Sequence, residues 1–201
     1  RQRYLFEANL RDDMSSKFAK GNRSALFPSF SLGWRISEET FIKDNVSWIS
    51  NLKLRLGWGK TGNEELDPDD IYPAIPTYAY EKYMFGNSLY STAYESRYVN
   101  NNLQWATVTN YELGLEAGFL NNMFGFELSV YKKKTNDMLL YMPIQGVIGM
   151  GAPAQNAGSV ENTGFDLNLL HNNRINKDWS YAVNLNIAYV KNEIIDMNGT
   201  E

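Results

Sequence analysis

Asn51 to Lys60 alternates without a break: Leu52, Leu54, Leu56 and Trp58 take the even positions, and Lys53, Arg55, Gly57 and Gly59 the odd ones. Successive side chains of an extended chain point to opposite sides, so this segment predicts a strand with one greasy face and one charged or bare face. A helix would mix the two sets. The same period-two pattern predicts six further long strands. One near Arg3 to Asp12 sets Tyr4, Phe6, Ala8 and Leu10 against Glu7, Asn9 and Arg11, and one near Ser29 to Ser37 sets Phe30, Leu32, Trp34 and Ile36 against Ser29, Ser31, Gly33 and Arg35. Thr107 to Leu120 places Tyr111, Leu113, Leu115, Ala117 and Phe119 opposite Asn110, Glu112, Gly114, Glu116 and Gly118. Then come Phe124, Phe126, Leu128 and Val130 opposite Gly125, Glu127, Ser129 and Tyr131, and Phe165, Leu167 and Leu169 opposite Gly164, Asp166 and Asn168. The last strand carries Tyr181, Val183, Leu185, Ile187 and Tyr189 against Asn184 and Asn186.

The connections alternate in length. Asp13 to Pro28, Thr61 to Ala106 and Tyr141 to Gly158 are long; Asn121-Asn122 and Asn172 to Lys177 are short, with Glu38 to Ser50 the least tidy of the short set. Short turns at one end and long loops at the other are the plan of an antiparallel up-and-down transmembrane β-barrel, its long loops extracellular. Seven strands do not close a barrel of this kind, so the expectation is an incomplete wall with unpaired first and last edges. Phe30, Leu32, Trp34, Leu52, Leu54, Leu56, Trp58, Leu113, Leu115, Phe126, Leu128, Leu185 and Ile187 are then expected to face lipid. Glu7, Arg11, Arg35, Lys53, Arg55, Glu112, Glu116 and Glu127 are expected to line the lumen. Aromatics near the stripe ends, such as Tyr4, Trp58, Tyr111 and Phe124, suit an interfacial girdle. A soluble β-sandwich also alternates, but its strands are usually shorter.

Composition is compatible with that plan. The 201 residues carry a net charge of −4 and no basic run, so the electrostatic footprint of a nucleic-acid binder is missing. Cysteine is absent, which removes disulfides and thiolate metal sites. There is no apolar run long enough for a helical span, and the mean hydropathy of −0.44 is what half-polar barrel strands give. Arg1 to Tyr4 and Gly199 to Glu201 abut strand patterns, which reads as a piece of a longer chain without a leader of its own.

Candidate chemistry is sparse. His171, the one histidine, falls beside a predicted short turn with no nucleophile to activate, so no enzyme, cofactor or metal is expected. Glu112 and Glu116 share a face but stand roughly 13 Å apart along a strand, too far for a glycosidase pair. Cross-strand ion pairs with Lys53, Arg55 and Glu127 are the simpler reading. Glu64 to Asp70 is an acidic loop without EF-hand spacing, read as solvated rather than calcium-binding. The glycines from Gly146 to Gly158 form a flexible loop, not a phosphate cradle. Tyr72 to Tyr98 holds the best binding candidates: Tyr78, Tyr80, Tyr83, Phe85, Tyr90 and Tyr94. Tyrosine stacks on sugar rings and hydrogen-bonds at low entropic cost. The stretch is expected either to meet substrate or a lid at the extracellular mouth, or to fold on its own aromatics or as an extra hairpin. An alternative for the whole chain is a soluble carbohydrate-binding β-domain with this loop as its site.

Several segments together resemble one family. Ser15-Ser16-Lys17-Phe18, Phe27-Pro28-Ser29-Phe30-Ser31-Leu32-Gly33-Trp34-Arg35-Ile36-Ser37, Leu52 to Asn63, Asn102-Leu103-Gln104-Trp105 with Asn110 to Glu116, and Asn156 to Leu167 are similar, in order, to the barrel of SusC/RagA-type TonB-dependent outer-membrane transporters. Ala106 stands where that family usually has Glu. The resemblance implies the C-terminal part of a barrel of about 22 strands, in a Gram-negative outer membrane, with plug and TonB box elsewhere. It further implies import of oligosaccharides or peptides, a SusD-like lipoprotein lid, and energy from the TonB complex.

Overall fold

The computed structural model describes residues 2–66 and 72–197. In chain order its strands are β1 (Tyr4–Met14), β2 (Ser24–Arg35), β3 (Ile49–Asn63), β4 (Tyr78–Phe85), β5 (Ser88–Glu95), β6 (Ala106–Phe119), β7 (Phe124–Asn136), β8 (Leu139–Tyr141), β9 (Ala154–Asn156), β10 (Ser159–Arg174) and β11 (Ser180–Asp196). Seven of them form one antiparallel sheet in the order β1-β2-β3-β6-β7-β10-β11. Neighbours in sequence are neighbours in space, an up-and-down meander. The sheet does not close, and β1 and β11 each have a single neighbour among the described residues.

The register turns the sequence alternation into continuous rows. Phe6, Leu32, Leu56, Leu113, Val130, Phe165 and Tyr189 lie side by side across all seven strands, followed by Tyr4, Trp34, Leu54, Leu115, Leu128, Leu167 and Ile187. The opposite face at the same level runs Leu5, Gly33, Arg55, Gly114, Ser129, Asp166 and Ala188. A one-residue slip anywhere would exchange the faces, so the pattern fixes the register. Among the described residues nothing covers the apolar rows: Phe6 is 70% exposed and Leu32 51%. A sandwich would bury them against a second sheet, and the remaining sheets among the described residues are the β4–β5 and β8–β9 pairs.

The strands outlast the alternation. β2 begins at Ser24 and runs through Pro28, which shortens the first long connection to 15–23. Pairing of β2 with β3 stops at Ser29↔Gly59, so β2 is an edge strand at Pro28, where proline is tolerated. Likewise β10 starts at Ser159, well before the alternating stretch. Beyond the apolar band both faces meet polar surroundings, so hydrogen bonding continues where the period-two signal has faded. The connection after β2 folds as a single 3-10 turn, Ile36–Glu38, and a one-turn helix, Thr40–Lys43. The tight β6–β7 turn places Leu120, Asn121 and Asn122 at φ of 51°, 56° and 61°. Asn takes this left-handed region readily; Leu120 is the strained member.

The buried core sits at the long-loop end rather than beneath the stripes. Phe18 (1% exposed) and Leu103 (0%) pack with Ala106, Leu139 and Ala154, and Leu66 and Trp105 flank them. Trp105 meets Phe18 at 5.2 Å and Phe27 edge-on at 5.8 Å between ring centroids. Side-chain amides tie the surrounding loops together. Asn156 accepts from the Gln104 N–H (2.9 Å) and donates to the carbonyls of Gln104 (2.7 Å) and Asp137 (3.0 Å). Asn22 donates to the Leu103 carbonyl at 3.2 Å, and Trp105 Nε1 to that of Arg23 at 3.1 Å. The roots of three long connections thus share one small hub.

Gly62 leaves the room this hub needs, because a Cβ there would collide with the Phe27 ring and lie 2.8 Å from Trp105. Gly62→Ala is expected to cost about 1–3 kcal/mol by overpacking, read as a lower urea midpoint of the full-length barrel in lipid, whereas Gly146→Ala, with open space around it, leaves the midpoint unchanged.

Candidate functional site

The polar face of the sheet carries a charge lattice centred on Arg55 in β3. Its guanidinium lies 2.9 Å from Glu116, 2.9 Å from Glu127 and 3.9 Å from Glu112, and Lys53 reaches Glu116 at 3.4 Å. The cross-strand pairing expected from the sequence is therefore present: Lys53 opposes Glu116, and Arg55 opposes Gly114, whose missing side chain lets the guanidinium cross β6 towards β7. Ser129 extends the network, donating to Glu112 at 3.4 Å and accepting from Arg55 at 3.4 Å. Glu112 and Glu116 act as two acceptors for one cation, not as an acid–base pair.

Glu7, Arg11 and Arg35 share this face. Glu7 accepts from Asn9 at 2.8 Å, Arg11 pairs with Asp13 at 2.9 Å and lies over the Phe27 ring, and Arg35 reaches Glu38 at 3.5 Å. An open concavity of about 530 Å³ lies along it, lined by Glu7, Lys53, Arg55 and Glu112 with Ser31, Gly33 and Gly57. The register puts Phe30, Leu32, Trp34, Leu52, Leu54, Leu56, Trp58, Leu113, Leu115, Phe126, Leu128, Leu185 and Ile187 together on the other face. Phe30 and Trp58 stack there at 5.6 Å.

At the short-turn end, two features escaped sequence reading. Glu39 is 8% exposed and accepts hydrogen bonds from Tyr4 (2.8 Å), Arg3 (3.0 Å) and Trp34 (3.3 Å). The Tyr4 hydroxyl and the Trp34 indole N–H hold its carboxyl below the usual carboxylate value, aided by Arg3 and opposed by burial. His171 lies in β10 close to the short turn that follows it, as its place in the sequence suggests, and stacks on Phe124 at 4.3 Å. Its Nδ1 is 3.1 Å from the Met123 carbonyl and its Nε2 2.9 Å from the Tyr181 hydroxyl. With Nδ1 donating and Nε2 accepting, the ring satisfies both partners and ties the β6–β7 turn to β11. Only the strand register, which puts His171 opposite Val183 with Tyr181 on the diagonal, brings these groups together.

The tyrosine-rich stretch forms a hairpin of β4 and β5, turned by Gly86 (φ +61°) and Asn87. Its register divides the candidates. Tyr78 and Tyr80 share one face with Met84 and Leu89; Tyr83, Phe85, Tyr90 and Tyr94 share the other. Both faces are bare, Tyr80 being 79% and Phe85 75% exposed. Tyr94 donates to Glu81 at 3.2 Å, and that acceptor carboxylate pushes its phenol above the ordinary value. Gly86-Asn87 between two aromatic-rich runs is the turn signal from which the hairpin follows. Of the acidic loop, Asp67, Asp69 and Asp70 lie outside the described residues; Lys17 reaches Glu64 at 3.4 Å. Among the described residues no His, Asp and Glu cluster has the makings of a metal site.

Comparison with known proteins adds to this geometry. The family model described as TonB dependent receptor-like, beta-barrel, matches residues 2–201. The chain is 40% identical over 98% of its length to TonB-dependent receptor SusC of Bacteroides thetaiotaomicron, of which it spans 20%. It is 33% identical over its full length to TonB-dependent receptor P26 of Formosa agariphila, again 20% of that protein. Among solved structures it resembles the RagAB peptide importer in the open-open state, with a TM-score of 0.87 at 32% identity over 98% of this chain and 21% of that one. The chain spans about a fifth of the relatives it matches.

Arg55 is shared by three carboxylates. Arg55→Gln is expected to lower unfolding stability of the full-length barrel by about 1–2 kcal/mol. Adding Glu127→Gln should cost less in that background than in the parent, as a double-mutant cycle in urea would show.

Proposed function

We propose an import function on one established premise: the chain belongs to the family of TonB-dependent receptor-like β-barrels, outer-membrane proteins. The chain is a stretch of barrel-domain wall in an active nutrient importer of the outer membrane. The observation that carries this reading is the two-faced register, with apolar rows unbroken across seven strands and an ion-paired polar face behind them. A water-filled or plugged bore needs the second face, and hydrocarbon needs the first. On β6 the girdle residues Tyr111 and Phe119 are eight positions apart, roughly 27 Å along the strand, or about 20 Å along the normal at a typical barrel tilt, close to the height of a barrel's apolar band.

On this reading Phe30, Leu54, Leu56, Leu113, Leu128 and Ile187 meet lipid, and Glu7, Lys53, Arg55, Glu112, Glu116 and Glu127 brace the plug that a separate part of the protein supplies. The β4–β5 ribbon stands at the long-loop, extracellular end. Its flat, hydroxyl-bearing rings suit the faces of an oligosaccharide. A SusD-like lipoprotein closes over the mouth, and the TonB complex supplies energy through the plug. A peptide cargo is the second reading, favoured by the likeness to the RagAB peptide importer.

Leu54→Arg places a charge in hydrocarbon and is expected to cost about 2–4 kcal/mol at the midplane; an unchanged folding free energy of the full-length protein in lipid vesicles would refute the facing. The ribbon is tested one face at a time, with Tyr78→Ala/Tyr80→Ala against Tyr83→Ala/Tyr90→Ala. The face that meets cargo should lose roughly thirtyfold in oligosaccharide affinity, since each of the two stacking rings removed contributes on the order of 1 kcal/mol. If neither pair changes oligosaccharide or peptide binding, or affinity for the lipoprotein, the ribbon has no part in uptake.

A further inference from the structure

The outward face of the wall is not electrically uniform along the membrane normal. Resting on the facing given above, the strand register assigns every lysine and arginine of the seven strands to one side or the other. Arg11, Arg35, Lys53, Arg55, Lys133 and Arg174 point to the polar side. Lys60, Lys132, Lys134 and Lys191 point to the apolar side, and all four lie at the long-loop end. At the other end of the same face the rows finish in Phe119, Phe124, His171 and Val183, without a lysine or arginine.

These lysines stand where the greasy band stops. One row reads Ala8, Phe30, Trp58, Tyr111, Lys132, Thr163 and Lys191: three aromatic side chains, then two cations. In the next row Lys60 and Lys134 flank Thr109 on either side, and Glu161 and Glu193 continue the row beyond Lys134. Two strand spacings separate the two lysines by about 10 Å, and a lysine stem spans more than half of that, so their ammonium groups can converge on one anion. Lys132, two residues from Lys134 on the same strand, borders the same spot. The acids facing this way are already engaged: Glu161 with Lys132 at 2.7 Å, Glu193 with Lys191 at 2.6 Å, and Asp12, distant on β1, accepting from Ser24. Lys60 and Lys134 have no ion-pair partner among the described residues.

We propose that Lys60 and Lys134, with Lys132 beside them, form a headgroup site for a phosphorylated glycolipid of the outer leaflet. The depth selects a membrane lipid over a soluble anion, because Trp58 and Tyr111 directly below mark the hydrocarbon boundary. The end of the barrel selects the leaflet, because long loops are extracellular. The charge selects phosphate: two ammonium groups without an ion-pair partner among the described residues, beside acids that are already engaged, attract an anion by about 1 kcal/mol each near a surface. The glycolipid's acyl chains would run down over Trp58, Leu56 and Leu113.

The test uses the full-length protein in detergent and titrates lipid A against the same lipid A with its phosphates removed. Tight binding of the phosphorylated form, weakened about fivefold by Lys60→Gln or by Lys134→Gln and ~thirtyfold by both, supports the site. Lys43→Gln/Lys177→Gln, at the short-turn end, should bind as the parent does. Equal affinity for the two lipid forms, equal affinity for phosphatidylglycerol, or an unaltered double variant overturns it. Heat-modifiable electrophoretic mobility reports whether each variant folds, and the single variants carry the test if the double one does not. A lipid-soluble quencher acting on a fluorophore at Leu54→Cys, in a background otherwise free of cysteine, checks the facing separately. Quenching without phosphate dependence sinks the headgroup site alone, and absence of quenching sinks the facing itself.

Discussion

A backbone amide in hydrocarbon has no water to turn to, so each must be paired by a neighbouring strand, and that requirement governs the rest of this molecule. It explains why β10 and β11 are paired without a break through Phe165↔Tyr189, Leu167↔Ile187 and Leu169↔Leu185, although each alone is a half-polar ribbon with little reason to persist. Once pairing is obligatory, the side chains have only two directions to take. The rows through Leu32 and Leu56, and the lattice around Arg55 behind them, are the two outcomes of one pleat.

The same pleat makes most of the wall legible in sequence. Seven strands, their faces and the alternation of connections follow from period two, because the two environments differ so strongly that each position declares its side. The pairing of Arg55 with Glu112, Glu116 and Glu127 follows as well, since opposite charges on one face of adjacent strands have few other places to go. Strand ends were not legible. At Ser24 to Pro28 and at Ser159 to Thr163 the ladder continues through residues that alternate weakly, because there the solvent no longer differs between faces.

What stayed hidden has a common physical origin. The Glu39 knot joins residues up to 36 positions apart, and the His171–Tyr181 contact depends on a register that no local pattern specifies. The hub of Phe18, Leu103 and Ala154 is assembled from three connections whose sequences, taken singly, look like loop. Asn102 to Trp105 and Asn156 to Gly158 stood out in the chain only as family-like words. Their purpose is visible once Asn156 is seen to hold Gln104 by its backbone and Leu103 to be wholly enclosed. The polarity of the outward face was likewise available in the letters, but it needed the register to sort Lys133 from Lys132 and Lys134.

The hub also sets a division of labour along each long connection. Roots are bolted by aromatic packing and amide clamps, while the β4–β5 ribbon above them buries little of itself. Changes to the ribbon's tip have few contacts through which to reach the wall. Natural selection can therefore rewrite the exposed faces of the ribbon while the wall below goes on folding undisturbed, and diversity among such chains should gather in the tips and thin out at the bolts.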